Sequence, residues 1–131
     1  MIGLDTNVLV RYVAQDDLVQ SAKATDLIES LSAASPGFIA MVSVVELVWV
    51  LQSCYGSAKD EIIHVLDMLL RTKELTVERA DVVWQALRRF ADANADFADC
   101  LIERCAHAAG CDYIVTFDRN AAKTAGMRHL T

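Results

Sequence analysis

MIGLDTNVLV, residues 1–10, decides how this chain is read. Met1–Leu4 is an apolar run with the look of a short buried strand, and Thr6–Ala14 reads as the start of a helix. Between them stands Asp5. An acid at the junction of two buried elements needs a reason, and the rest of the sequence supplies candidates.

Outward from this stretch, strand and helix patterns alternate. Asp17–Ala33 predicts an amphipathic helix with Leu18, Ala22, Ile28 and Leu31 on its apolar side. Pro36-Gly37 breaks the chain, Phe38–Val42 is a strand, and Ser43–Cys54 is a nearly all-apolar, enclosed helix. Ala58–Arg71 is a helix with Ile62, Val65, Leu66 and Leu69 inward, followed by a strand at Leu75–Val77. Helices follow at Ala80–Ala93, with Val83, Trp84, Leu87 and Phe90 on one side, and at Asp96–Ala109, which Gly110 ends. Tyr113–Phe117 is a strand and Asn120–Ala125 a last short helix. Alternation of this kind implies parallel strands joined by right-handed crossovers. The expected fold class is therefore α/β, a three-layer α/β/α sandwich, in a single domain spanning residues 1–131.

Bulk properties narrow the function. The chain is 54% hydrophobic with one proline, which argues against disorder, and no stretch has the roughly 20 apolar residues a membrane span needs. The start lacks the basic flank of a signal peptide, so a cytoplasmic protein is expected. Cys54, Cys100, Cys105 and Cys111 show no C-x-x-C spacing and read as buried reduced thiols. His64, His107 and His129 do not pair with them at zinc-binding spacing. With a net charge of −6, the surface is not that of a protein that holds nucleic acid by overall charge. Any such contact must be local or assisted by cations, and an acidic surface suits a basic protein partner.

Ligands of a parallel sheet bind outside the carboxyl ends of its strands. Asp5 closes the first strand. Glu46 falls in the first turn of the helix after the second. Asp118 closes Tyr113–Phe117. The helix carrying Asp96 and Asp99 leads into that strand, so its start lies at the same edge. Carboxylates gathered there repel, and desolvation adds to the cost. Helix N-termini, each worth roughly half a positive charge, relieve only part of it. Protonation or a divalent cation must do the rest, and oxygen-only ligands point to a hard ion, Mg²⁺ or Mn²⁺.

Each acid also has an ordinary explanation. Ser43-Val44-Val45-Glu46 fits a capping box, while Asp5, Asp96 and Asp118 stand where helix caps belong and Asp99 in a first turn that favours acids. Glu103 reads as solvated, or paired with Arg104 or His107. Capping explains any one acid but not their shared edge. Thr6, Asn7, Thr116 and Asn120 flank the acids and can orient carboxylates or water, although turn chemistry accounts for Asn7 and Asn120 equally well. Arg11, Arg119, Lys123 and Arg128 are candidates to hold phosphates or to form a solvated basic face.

Four segments, LDTNVLV, SVVELVWVL, ADFADCLIERCA and IVTFDRNAAK, together resemble PIN-domain ribonucleases, and most of all the VapC-type toxins of bacterial toxin–antitoxin pairs. The resemblance covers essentially the whole chain. It implies a central parallel sheet of four or five strands, and puts the catalytic, metal-binding acids on Asp5, Glu46, Asp99 and Asp118, with Asp96 auxiliary. It further implies Mg²⁺ dependence, cleavage of single-stranded or looped RNA, a homodimer, and a small antitoxin whose tail enters the acidic groove. The expected activity is that of a metal-dependent endoribonuclease using metal-activated water.

Two other readings fit less well. A phosphatase of the haloacid dehalogenase type needs a second acid two residues after the first, where this chain has Asn7, and a later lysine that is missing. A receiver domain needs paired acids that are likewise absent. A catalytically silent PIN-like module that binds RNA or protein is the non-enzyme alternative.

Overall fold

The computed structural model describes residues 1–131, which divide into two compact units, Met1–Glu78 and Arg79–Thr131. The first unit runs β1 (Ile2–Gly3), α1 (Thr6–Ala14), α2 (Leu18–Glu29), β2 (Gly37–Ile39), α3 (Met41–Tyr55), α4 (Lys59–Arg71) and β3 (Leu75–Val77). Its three strands form a parallel sheet in the order β1-β2-β3, with Gly37 beside both Ile2 and Leu75. The core is built from α1, β2, α3 and α4: Leu9, Ile39, Leu47 and Ile62 are fully buried, and Leu66 and Leu69, on the face anticipated for α4, nearly so. The carboxyl ends of β1 and β2 therefore lie at one edge, from which α1 and α3 depart.

The second unit runs α5 (Ala80–Asp92), α6 (Phe97–Ala108), β4 (Val115–Thr116), α7 (Arg119–Thr124) and β5 (Arg128–His129). Helix α5 packs on α6, with Phe90 and Phe97 edge to face at 5.8 Å between ring centres. Strands β4 and β5 form a two-stranded parallel ladder, beside a small cluster of Ala121, Ala125 and Met127.

Several expectations need correction. In place of a single sheet of four or five strands, the ladders are one of three strands and one of two. Strand β5 went unread because Arg128-His129 carries no apolar signature; backbone bonds from Arg128 N to Ile114 O and from Leu130 N to Thr116 O define it. The opening strand is not buried: Ile2 is 42% exposed, because β1 has only β2 as a ladder partner, and Leu4 alone goes inside. The inward face of α2 is Ser21, Ala24 and Ile28, whereas Leu18 is 95% exposed. Helix α3 begins at Met41, not Ser43, and exposes Val42 and Trp49 rather than being enclosed. Of the cysteines, all free, only Cys100 is buried, and Cys54 and Cys111 are exposed.

Candidate functional site

In the first unit, β1 hands the chain to α1 through Asp5. The Asp5 carboxylate accepts a bond from Thr6 N at 2.7 Å and so caps α1. Thr6 is buried, and its hydroxyl donates to Glu46 Oε1 at 2.8 Å, across 40 residues of sequence. The capping box expected at Ser43–Glu46 does not exist: Ser43 is buried inside α3, and Glu46 lies in the second turn. Met41 N instead donates to Glu78 Oε1 at 2.8 Å, so an acid beyond β3 satisfies the start of α3. Released from capping, Glu46 turns to Thr6. Asp5, Thr6, Asn7 and Glu46 line one cleft of about 610 Å³.

In the second unit, Asp118 caps α7, accepting from Asn120 N at 2.8 Å and Ala121 N at 3.2 Å. Thr116 Oγ1 accepts from Asp118 N at 3.0 Å, which fixes the turn after β4. Asp96 occupies the N-cap position of α6 without making a side-chain cap bond, and Asp99 follows in the first turn. The Asp99 carboxyl is pushed above its ordinary range, first by burial, then by the negative charges of Asp96 and Asp118. The unit thus brings these three acids within electrostatic reach of one another.

None of Asp5, Glu46, Asp96, Asp99 and Asp118 forms an ion pair, whereas Asp16, Asp67, Asp81 and Glu103 each pair with arginine. Glu103, expected to be solvated or paired, is buried and held by Arg104 at 2.6 Å and Arg89 at 3.8 Å. It serves structure. Arg119 and Lys123 are exposed on α7, and Arg128 stacks on the Tyr113 ring at 4.1 Å. Arg11 lines the cleft of the first unit and pairs with Asp16.

Neither unit by itself gathers three His, Cys, Asp or Glu side chains tightly enough to hold a metal ion. The donor chemistry nevertheless suits Mg²⁺ or Mn²⁺: it is all carboxylate oxygen, and none of these acids is held in an ion pair, Arg11 of the same cleft being paired with Asp16 instead. Mg²⁺ in particular uses one or two carboxylates and keeps several waters.

The fold is that of a mostly helical α/β protein with parallel strands, in which Asp5 and Asp118 stand just beyond strand ends. The PIN domain model matches residues 2–127, and the chain belongs to that family. PIN domains are in general nucleases, hydrolases that act on RNA or other nucleic acid, typically with divalent metal ions. No curated protein is similar enough to the chain to match it. No helix is long and apolar enough to cross a membrane.

Proposed function

We propose that this protein is a metal-dependent endoribonuclease, the toxin of a type II toxin–antitoxin pair, acting in the cytoplasm. The observation that carries the reading is the unpaired state of its acids: Asp99 is partly buried, its carboxyl raised, and no cationic side chain offsets it. On this reading both units make up one PIN domain, as a family model spanning residues 2–127 supports.

Asp5, Glu46, Asp99 and Asp118 would together hold one or two Mg²⁺ or Mn²⁺ ions, with Asp96 auxiliary. When bound, the cation neutralises charge on the phosphoryl group and lowers the pKa of the attacking water. The chain's own groups do the rest. Thr6 aims Glu46 through its hydroxyl, and Thr116 sets the turn that orients Asp118. Asn7 and Asn120 flank the acids. Asp99 or Asp96 takes the proton of the attacking water. Arg11, Arg119 and Lys123 contact RNA phosphates. Products carry a 5′-phosphate and a 3′-hydroxyl. A small antitoxin blocks the acidic groove with a basic side chain, and the chain forms a homodimer; exposed Val42 and Trp49 are apolar surface available to protein partners.

Asp5→Asn should abolish Mg²⁺-dependent cleavage of RNA. Asparagine caps helices about as well as aspartate, so the fold should persist with a change within about 0.5 kcal/mol. Folded Asp5→Asn protein that cuts at the wild-type rate, or wild-type cleavage that survives EDTA, would refute the assignment. One observation favours a second reading. Neither unit alone assembles three ligands, as expected of a catalytically silent PIN-like module, which would bind RNA without turnover.

A further inference from the structure

Arg11 belongs to a hydrogen-bonded set that the acids do not require. Its Nε donates to Gln20 Oε1 at 2.8 Å and its Nη1 to Asp16 Oδ1 at 3.0 Å. The other Asp16 oxygen accepts from the Tyr55 hydroxyl at 2.6 Å. Three places in the first unit are tied together: α1, the start of α2 and the end of α3. Because Tyr55 occupies Oδ2, Asp16 does not grip the guanidinium with both oxygens, and Nη2 makes no bond within the protein. The Arg11 side chain stays 33% exposed. A guanidinium fixed on one edge and open on the other is pre-organised for an oxyanion.

Its position gives that edge a use. Arg11 lines the cleft that holds Asp5 and Glu46. It also lines a groove of about 440 Å³ between α1 and α2, together with Gln20 and Lys23. Lys23 is exposed and forms no ion pair. The cation therefore stands at the border between the acids and a second, lysine-bearing channel.

We infer that Arg11, positioned by Asp16, Gln20 and Tyr55, clamps a phosphate of single-stranded RNA, and that the strand runs from the acid cleft past Arg11 into the α1–α2 groove, where Lys23 makes a further phosphate contact. This rests on the nuclease reading and adds a substrate path to it. Asp16 and Tyr55 act through Arg11 as positioning residues. An isolated surface ion pair would contribute little to stability and nothing to substrate affinity.

The test is steady-state cleavage of a labelled single-stranded RNA by the full chain in Mg²⁺. Arg11→Ala should raise KM about tenfold, the loss expected for one charge-assisted hydrogen bond, with a much smaller change in kcat. Arg11→Lys, keeping charge without the fork, should fall between. Asp16→Asn and Tyr55→Phe should each raise KM by less, and Asp16→Asn should add nothing to Arg11→Ala. Lys23→Ala should lower the slope of log(kcat/KM) against log salt by about 0.7, the loss of one single-strand phosphate contact. The remote Lys73→Ala should behave as wild type. Unchanged KM and salt slope in Arg11→Ala and Lys23→Ala, beside an active wild type, would overturn the clamp alone. A wild type that neither cuts nor binds RNA would overturn the nuclease reading and the clamp with it.

Discussion

Glu103 and Asp99 sit one turn apart on α6 and meet opposite fates. Glu103 is 7% exposed and is bridged by Arg104 through both carboxylate oxygens at 2.6 and 2.8 Å. The Arg104 bond, outweighing burial, holds its carboxyl below the ordinary 4.5. A carboxyl depressed in the folded state binds its proton first in the unfolded chain. Its stabilisation is therefore complete above pH 4.5 and is lost as pH falls through the lower folded value. Thermal unfolding from pH 7 down to pH 3 should show wild type losing stability in the acid range. Glu103→Gln should start lower, by about 1 kcal/mol, since its arginine partners are half-buried and still reach solvent, and lose less on acidification. Asp99 has no such counter-charge, and its carboxyl moves the other way. The sequence offered Arg104 as a partner for Glu103; Arg89, which reaches it from α5, became visible only in the fold.

At the scale of elements, α3 is the informative case. Its sequence carries a local start signal at Ser43, yet the helix begins at Met41, because Glu78 supplies a hydrogen bond to Met41 N from beyond β3. A cap that comes from 37 residues away is invisible to local pattern reading. Glu78→Ala should destabilise the protein by about 1 kcal/mol, as loss of a helix cap does, measured by urea titration. Gly37 is the second case. A Cβ there would lie 2.8 Å from Leu31 Cδ1, 3.0 Å from Leu4 Cδ1 and 3.2 Å from Leu75 Cδ2. Gly37→Ala should cost about 1–2 kcal/mol, the range for mild overpacking, since three leucine ends must shift together. In the sequence Pro36-Gly37 marked a chain break. Its packing role became visible only when β2 was found between β1 and β3.

For the whole molecule, the proposed metal site makes stability depend on divalent cations, since a ligand held only by the folded state stabilises it. Mg²⁺ at about 100 times its dissociation constant should stabilise the folded state by about 2.7 kcal/mol, read as a rise in unfolding temperature. Asp5→Asn should lose most of that rise, and EDTA should reverse it. A wild type whose unfolding temperature ignores Mg²⁺ and Mn²⁺ would count against a metal site.

Sequence alone determined the alternation of elements, most helix limits within a few residues, and the placing of Asp5 and Asp118 at strand ends. Those features follow from apolar periodicity and turn chemistry, which act between residues close in the chain. Tertiary structure decided the rest: which side of α2 goes inward, that Glu46 answers Thr6 instead of capping its own helix, that Arg89 of α5 joins Arg104 on Glu103, and that Arg11 is linked through Asp16 to Tyr55. Each of these depends on a partner distant in the chain or on the packing of another element, and such a choice is made by burial and hydrogen-bond satisfaction only after the chain has folded.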